Sequence, residues 1–211
     1  MRRRGFTLLE ILLSLAILAG VLVALNALLF GIAGGWGEGR DRRLFDQHRR
    51  ALGRQLEDAV RAAAERPGGT PLTIRKQAWA GRGEELRPGW SLPDGGRLAT
   101  WAGEPLPDVD FTMEVDRDRG LVVAWRSRAE VDMETDSWHE AVMSPFVRRM
   151  EYAYAPTGEG GRWEVSETPL PEPGFTGWRV PDHLRLHLEL GKEKAEVRVR
   201  VLGRREGATP P

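Results

Sequence analysis

One long apolar run near the start of the chain outweighs every other pattern in it. From Leu8 to Phe30 only Glu10, Ser14 and Asn26 are polar. As a helix these residues rise about 34 Å, against a hydrocarbon core of about 30 Å, so the run predicts a membrane-spanning helix. Ala16, Gly20 and Ala24 recur at every fourth position, which puts small side chains on one face where another helix can approach closely. A glycine cluster follows over residues 31–39, where each glycine costs a helix about 1 kcal/mol relative to alanine; the helix is expected to loosen there into a joint. Trp36 suits an anchor at the outer membrane surface. Helical spacing resumes at residue 40. Phe45, Leu52, Leu56, Ala59 and Ala63 form an apolar stripe along an amphipathic helix over 40–66, of the kind that lies on a sheet, and Pro67-Gly68-Gly69 should stop it.

Beyond residue 70 the period changes from helical to alternating. Leu72 to Trp79 predicts a first strand, and residues 81–107 read as loop with one short strand near Arg97 to Trp101. Val109, Phe111, Met113 and Val115 alternate with polar residues, predicting a strand with one buried face. Asp116-Arg117-Asp118-Arg119-Gly120 should turn the chain into a partner strand over Leu121 to Arg126. A strand is expected from Val147 to Ala155. The clearest hairpin comes last: Leu184, Leu186, Leu188 and Leu190, a turn over Gly191 to Lys194, then Val197, Val199 and Val201. A helix laid on antiparallel strands is an α+β arrangement. The β-rich domain is expected to occupy 70–205, with 206–211 a disordered tail.

Composition narrows the function. Basic and acidic residues number 31 each, so no net charge draws the chain to nucleic acid, and none is expected as a partner. Without cysteine, disulfides and thiolate metal sites are excluded. No nucleophile elbow, zinc-protease helix, phosphate loop or dinucleotide fingerprint occurs, so no enzyme activity and no cofactor is expected. Asp116-x-Asp118-x-Gly120 resembles a calcium loop only faintly and reads as a turn, since Ser127 stands where a bidentate Glu is needed. Asp132, Glu134 and Asp136, with His139 and Glu140 behind, read as a solvated acidic edge, although a hard cation is conceivable there. His48, His139, His183 and His187 show no ligand spacing.

The start of the chain carries the sharper chemistry. Arg2, Arg3 and Arg4 precede the span, which keeps the N-terminus cytoplasmic. Glu10 inside the apolar run needs a partner, because a carboxylate costs roughly 2.5–3.5 kcal/mol near a span's centre. Cleavage after Gly5 would free an amino group on Phe6, one helical turn from Glu10 and on its face.

Gly5-Phe6-Thr7-Leu8-Leu9-Glu10 followed by an apolar helix resembles the class III leader of type IV pilins and type II secretion pseudopilins. Residues 1–5 would then be the leader and 6–30 the transmembrane assembly helix. The resemblance implies that a prepilin peptidase cuts between Gly5 and Phe6, that Phe6 is N-methylated, that Glu10 guides assembly, and that the fold is pilin-like. Phe146-Val147-Arg148-Arg149-Met150-Glu151-Tyr152-Ala153-Tyr154, Trp163, and the run from Trp178 to Leu186 are similar to the J-type minor pseudopilin and its W-type pilus relatives. That likeness implies a minor pseudopilin in the bacterial inner membrane with its C-terminal domain periplasmic. Its partners would be other major and minor pseudopilins, the peptidase, the inner-membrane secretion platform and lipid. A type IV minor pilin and a membrane-anchored periplasmic enzyme or binding protein are the alternatives.

Overall fold

The computed structural model describes residues 8–79, 82–96, 98–101, 104–129, 138–156 and 162–201. The chain divides into two compact units, residues 1–47 and 48–211. One helix, α1 (Leu8–Glu65), begins in the first and ends in the second. The backbone stays helical through residues 31–38, where glycine propensity predicts a loosening. The local cost of about 1 kcal/mol per glycine is a bias that the flanking helical residues override.

In the second unit the helix closes as its sequence dictates. Arg66 N–H donates to the Ala62 carbonyl at 3.0 Å and Gly69 N–H to the Arg66 carbonyl at 3.0 Å. Gly68 takes the left-handed conformation, φ 82°, that ends helices. The predicted stripe is buried throughout, and Val60 joins it.

The strands form two antiparallel sheets. The first has the order β1 (Thr70–Trp79), β2 (Arg82–Asp94), β5 (Pro107–Asp116), β6 (Gly120–Ser127) and β7 (His139–Ser144). The second has the order β11 (Glu193–Arg200), β10 (His183–Leu190), β8 (Val147–Tyr154) and β9 (Glu164–Ser166). A short ribbon pairs β3 (Thr100–Trp101) with β4 (Glu104–Pro105).

The second sheet alternates cleanly. Leu184 pairs with Tyr152 and Val199, and Leu186 with Met150 and Val197, on the face that meets the helix. A Cβ placed on Gly53 would lie 3.2 Å from Val197 Cγ1, so α1 approaches β11 closely. The other face carries Arg149, Glu151, Arg185, His187 and Glu196, laced by ion pairs. The closing turn is tighter than predicted, since Leu190 pairs directly with Glu193 across Gly191 and Lys192.

The first sheet departs further from expectation. The segment read as loop contains β2, thirteen residues long. Pro88, Gly89 and Pro93 hide it in the sequence, but Trp90 and Leu92 are buried, and Trp90 stacks on Phe111 at 5.5 Å. β5 was expected to bury one face and buries both: Val109, Phe111 and Met113 on one, Asp110 and Thr112 on the other. That second face has its own apolar cluster of Trp79, Val122 and Ala124, with Trp138 packed against it. β7 and β9 were not predicted. The acidic segment at 132–136 and the expected tail at 206–211 lie outside the described residues.

Candidate assembly site

The residues singled out for assembly sit on the first turns of α1. Glu10 lies in the first described turn of α1. Ser14 Oγ donates to the Glu10 carbonyl at 2.7 Å, and Asn26 Nδ2 donates to the Leu22 carbonyl at 3.0 Å. Ser14 and Asn26 thus each reach a carbonyl one turn back, which lowers the cost of holding them in an apolar medium. The asparagine is satisfied within its own helix.

Leu8–Phe30 is long and apolar enough to cross a membrane, with mean hydropathy 2.7, and its residues are exposed. Ala16, Gly20 and Ala24 share one exposed face, and a Cβ on Gly20 would meet nothing within 4 Å. Gly5 and Phe6 lie outside the described residues.

The second unit contains polar groupings that sequence spacing did not announce. Arg87, 3% exposed, donates from Nε to Glu114 Oε2 at 2.6 Å and from Nη1 to the Gln77 carbonyl. Its guanidinium lies 4.7 Å from the Trp79 ring centroid. Asp110 receives hydrogen bonds from Ser91 Oγ at 2.6 Å and Arg128 Nη2 at 2.8 Å. Burial pushes the Asp110 carboxyl up, but the bonds from Arg128 and Ser91 and the nearby Arg126 outweigh it and hold it below the ordinary carboxylate range. The register explains the grouping: Ser91 pairs with Asp110 and Asp110 with Arg126, so residues far apart in sequence share one face. The only sequence signal was alternation, which marks a face without saying what covers it.

His48 Nε2 and the fully buried Ser144 Oγ are 2.8 Å apart, tying α1 to the end of β7. Burial lowers the His48 imidazole from its ordinary value. His183 and His187 lie on β10. His187 Nε2 contacts Glu151 Oε2 at 2.9 Å, and the His183 ring meets Trp163 edge-on at 5.3 Å. His139 begins β7 beside Trp125, with Glu140 next to it bonded to Arg119 Nη1 at 2.6 Å. Asp116 Oδ1 accepts from the amides of Asp118 and Arg119 at 2.9 and 3.0 Å, so the calcium-like segment is a turn closed on itself. Among the described residues no three His, Asp or Glu converge as metal ligands. An open pocket of about 610 Å³ lies between α1 and the β2–β3 connection, with Arg54, Gln55, Asp58, Leu92 and Leu98 in its walls.

Residues 1–25 match the prokaryotic N-terminal methylation motif. No curated protein and no solved structure matches the chain. The matched motif implies processing by a prepilin peptidase and pilin-like assembly partners, and it suggests a structural rather than a catalytic protein. With the apolar helix it fits anchoring in an inner membrane. The prepilin-type motif, the apolar helix that follows it and the helix packed on antiparallel sheets point to a type IV pilin-like or pseudopilin protein.

Proposed function

We propose that the chain is a minor pseudopilin of a type II secretion system, most like the J-type, that primes or caps a pseudopilus by non-covalent assembly. The observation that carries this is the coincidence of Gly5, Phe6 and Glu10 with a helix able to span a bilayer. Removal of residues 1–5 leaves Phe6 as the new N-terminus, where methylation adds bulk to the amine and leaves its charge. That charge lies one turn from Glu10, so a contact with the carboxylate, within this chain or from a neighbouring subunit, offsets the desolvation of both groups. Ala16, Gly20 and Ala24 give neighbouring spans a face for close packing. The C-terminal domain is then periplasmic and presents its surface to other pseudopilins.

The J-type assignment is supported by the segment from Phe146 to Tyr154, by Trp163 and by the Pro181-led closing strand. Mass spectrometry of the protein from its host tests the processing step. The mature chain should begin at N-methylated Phe6; recovery of Met1 to Arg4 on an unmodified chain would overturn the proposal. Copurification separates the two filament types. Secretion pseudopilins among the bound subunits fit the J-type role, and pilus subunits would make it a W-type minor pilin.

A further inference from the structure

One surface of the five-stranded sheet holds more cationic donors than acceptors. Asp110 on β5, its side chain 7% exposed, already has both oxygens engaged. Arg128 donates from Nη2 to Oδ1 at 2.8 Å and from Nε to Oδ2 at 3.3 Å, and Ser91 Oγ donates to Oδ1 at 2.6 Å. Arg126 Nη2 lies 3.6 Å from Oδ2.

Arg75 on β1 belongs to the same group and lies across Gly89, where a Cβ would come within 2.7 Å of its Nε and 3.0 Å of its Nη2. Those two nitrogens form the edge by which a guanidinium grips a carboxylate or phosphate side-on. Both are closed to solvent and have no acceptor among the described residues. Asp108, 3.8 Å from Arg128 Nη1, is the second carboxylate of the group, so among the described residues three guanidiniums face two acids and one positive charge is left over. Burial lowers the Arg75 guanidinium from its ordinary value; Asp110 opposes this, and Arg128 and Arg126 add to it. A buried cationic fork without an acceptor is a feature that a bound ion explains.

We propose that this cluster is a binding site for one oxyanion, a carboxylate or a phosphate, taken by the Arg75 fork with Arg126 and Arg128 at its mouth. Arg126 and Arg128 are about half exposed, at 46% and 53%, and are the groups an incoming anion meets first. Binding lifts the Arg75 fork from Gly89, a movement its flexible side chain allows. The anion comes either free from solution or from an acidic side chain of a neighbouring subunit. In the free form the site does not depend on the assembly role.

The test uses the full chain in detergent micelles, with the arginine Nε–H resonances followed while inorganic phosphate replaces chloride at constant ionic strength. A saturable shift at Arg75 is expected. In Arg75→Gln and Arg126→Gln, read at Arg128, apparent affinity should fall on the order of tenfold, as suits the loss of one charge-assisted contact. A shift that never saturates, or one equal in both variants and the parent, would overturn the site. Arg126→Gln changes a half-exposed position and keeps the test informative if Arg75→Gln does not fold. Phosphate added to the chain copurified with its assembly partners then separates the sources: release points to a neighbour's carboxylate, and an intact complex to a free anion.

Discussion

Gly120 opens β6 at φ 83°, and a Cβ there would stand 2.3 Å from the Ser144 carbonyl oxygen and 2.9 Å from Pro145 Cα. Both the conformation and the space exclude a side chain, and the obstacle is backbone. Gly120→Ala is therefore expected to destabilise the domain by at least about 1–2 kcal/mol, seen as a lower urea midpoint at unchanged slope. The end of β7 that Gly120 abuts is also where His48 is fixed to Ser144. Because burial lowers the native imidazole value, the unfolded chain binds more protons as the pH falls. The stability from neutral His48 is fully present above its ordinary value of about 6.5 and is lost as pH falls through the lowered native one. Unfolding measured across that window should lose part of its pH slope in His48→Gln; an unchanged slope would assign it elsewhere. Asp110 contributes in the same sense at lower pH, its stabilisation complete above the ordinary carboxylate range and lost below it.

At the scale of elements, the success of pattern reading depended on what lay across each face. The stripe on α1, the strand β8 and the β10–β11 hairpin were legible because one side is apolar and the other wet, the condition that produces strict alternation. β2 was not legible, since it carries Arg87 inward with two prolines and two glycines, and Glu114, the Gln77 and Gly83 carbonyls and the Trp79 ring make that burial tolerable. Arg87→Ala should therefore cost about 3–5 kcal/mol, because it breaks a largely buried ion pair with Glu114; a loss below about 1 kcal/mol in chemical unfolding would assign the pair a solvent-like environment. Helix and sheet come close at Gly53 and Val197. Gly53→Val should destabilise by about 1–3 kcal/mol through overpacking, and pairing it with Val197→Ala should recover part of that loss in a double-mutant cycle.

For the whole molecule, an exposed apolar segment and a self-contained core divide the chain's work. The core residues from Leu52 onward are buried within residues 48–211, whereas the side chains of Leu8 to Phe30 all stand open. If assembly runs through Glu10, Glu10→Ala should leave membrane insertion intact and reduce copurification with other subunits, while Leu18→Val, a small change in the same run, should reduce neither. Normal copurification of Glu10→Ala would remove the charge-pairing account. The sequence by itself determined a helix long enough to span a bilayer, the prepilin-type motif, the amphipathic helix and the α+β class, because these rest on local order: run length, charge position, and periods of four and two. Only the tertiary structure decided that β2 is a strand, that β5 is buried on both faces, and that Arg75, Asp110, Arg126 and Arg128 meet. Those outcomes depend on cross-strand register, which joins residues tens of positions apart and leaves no mark on their neighbours in the chain.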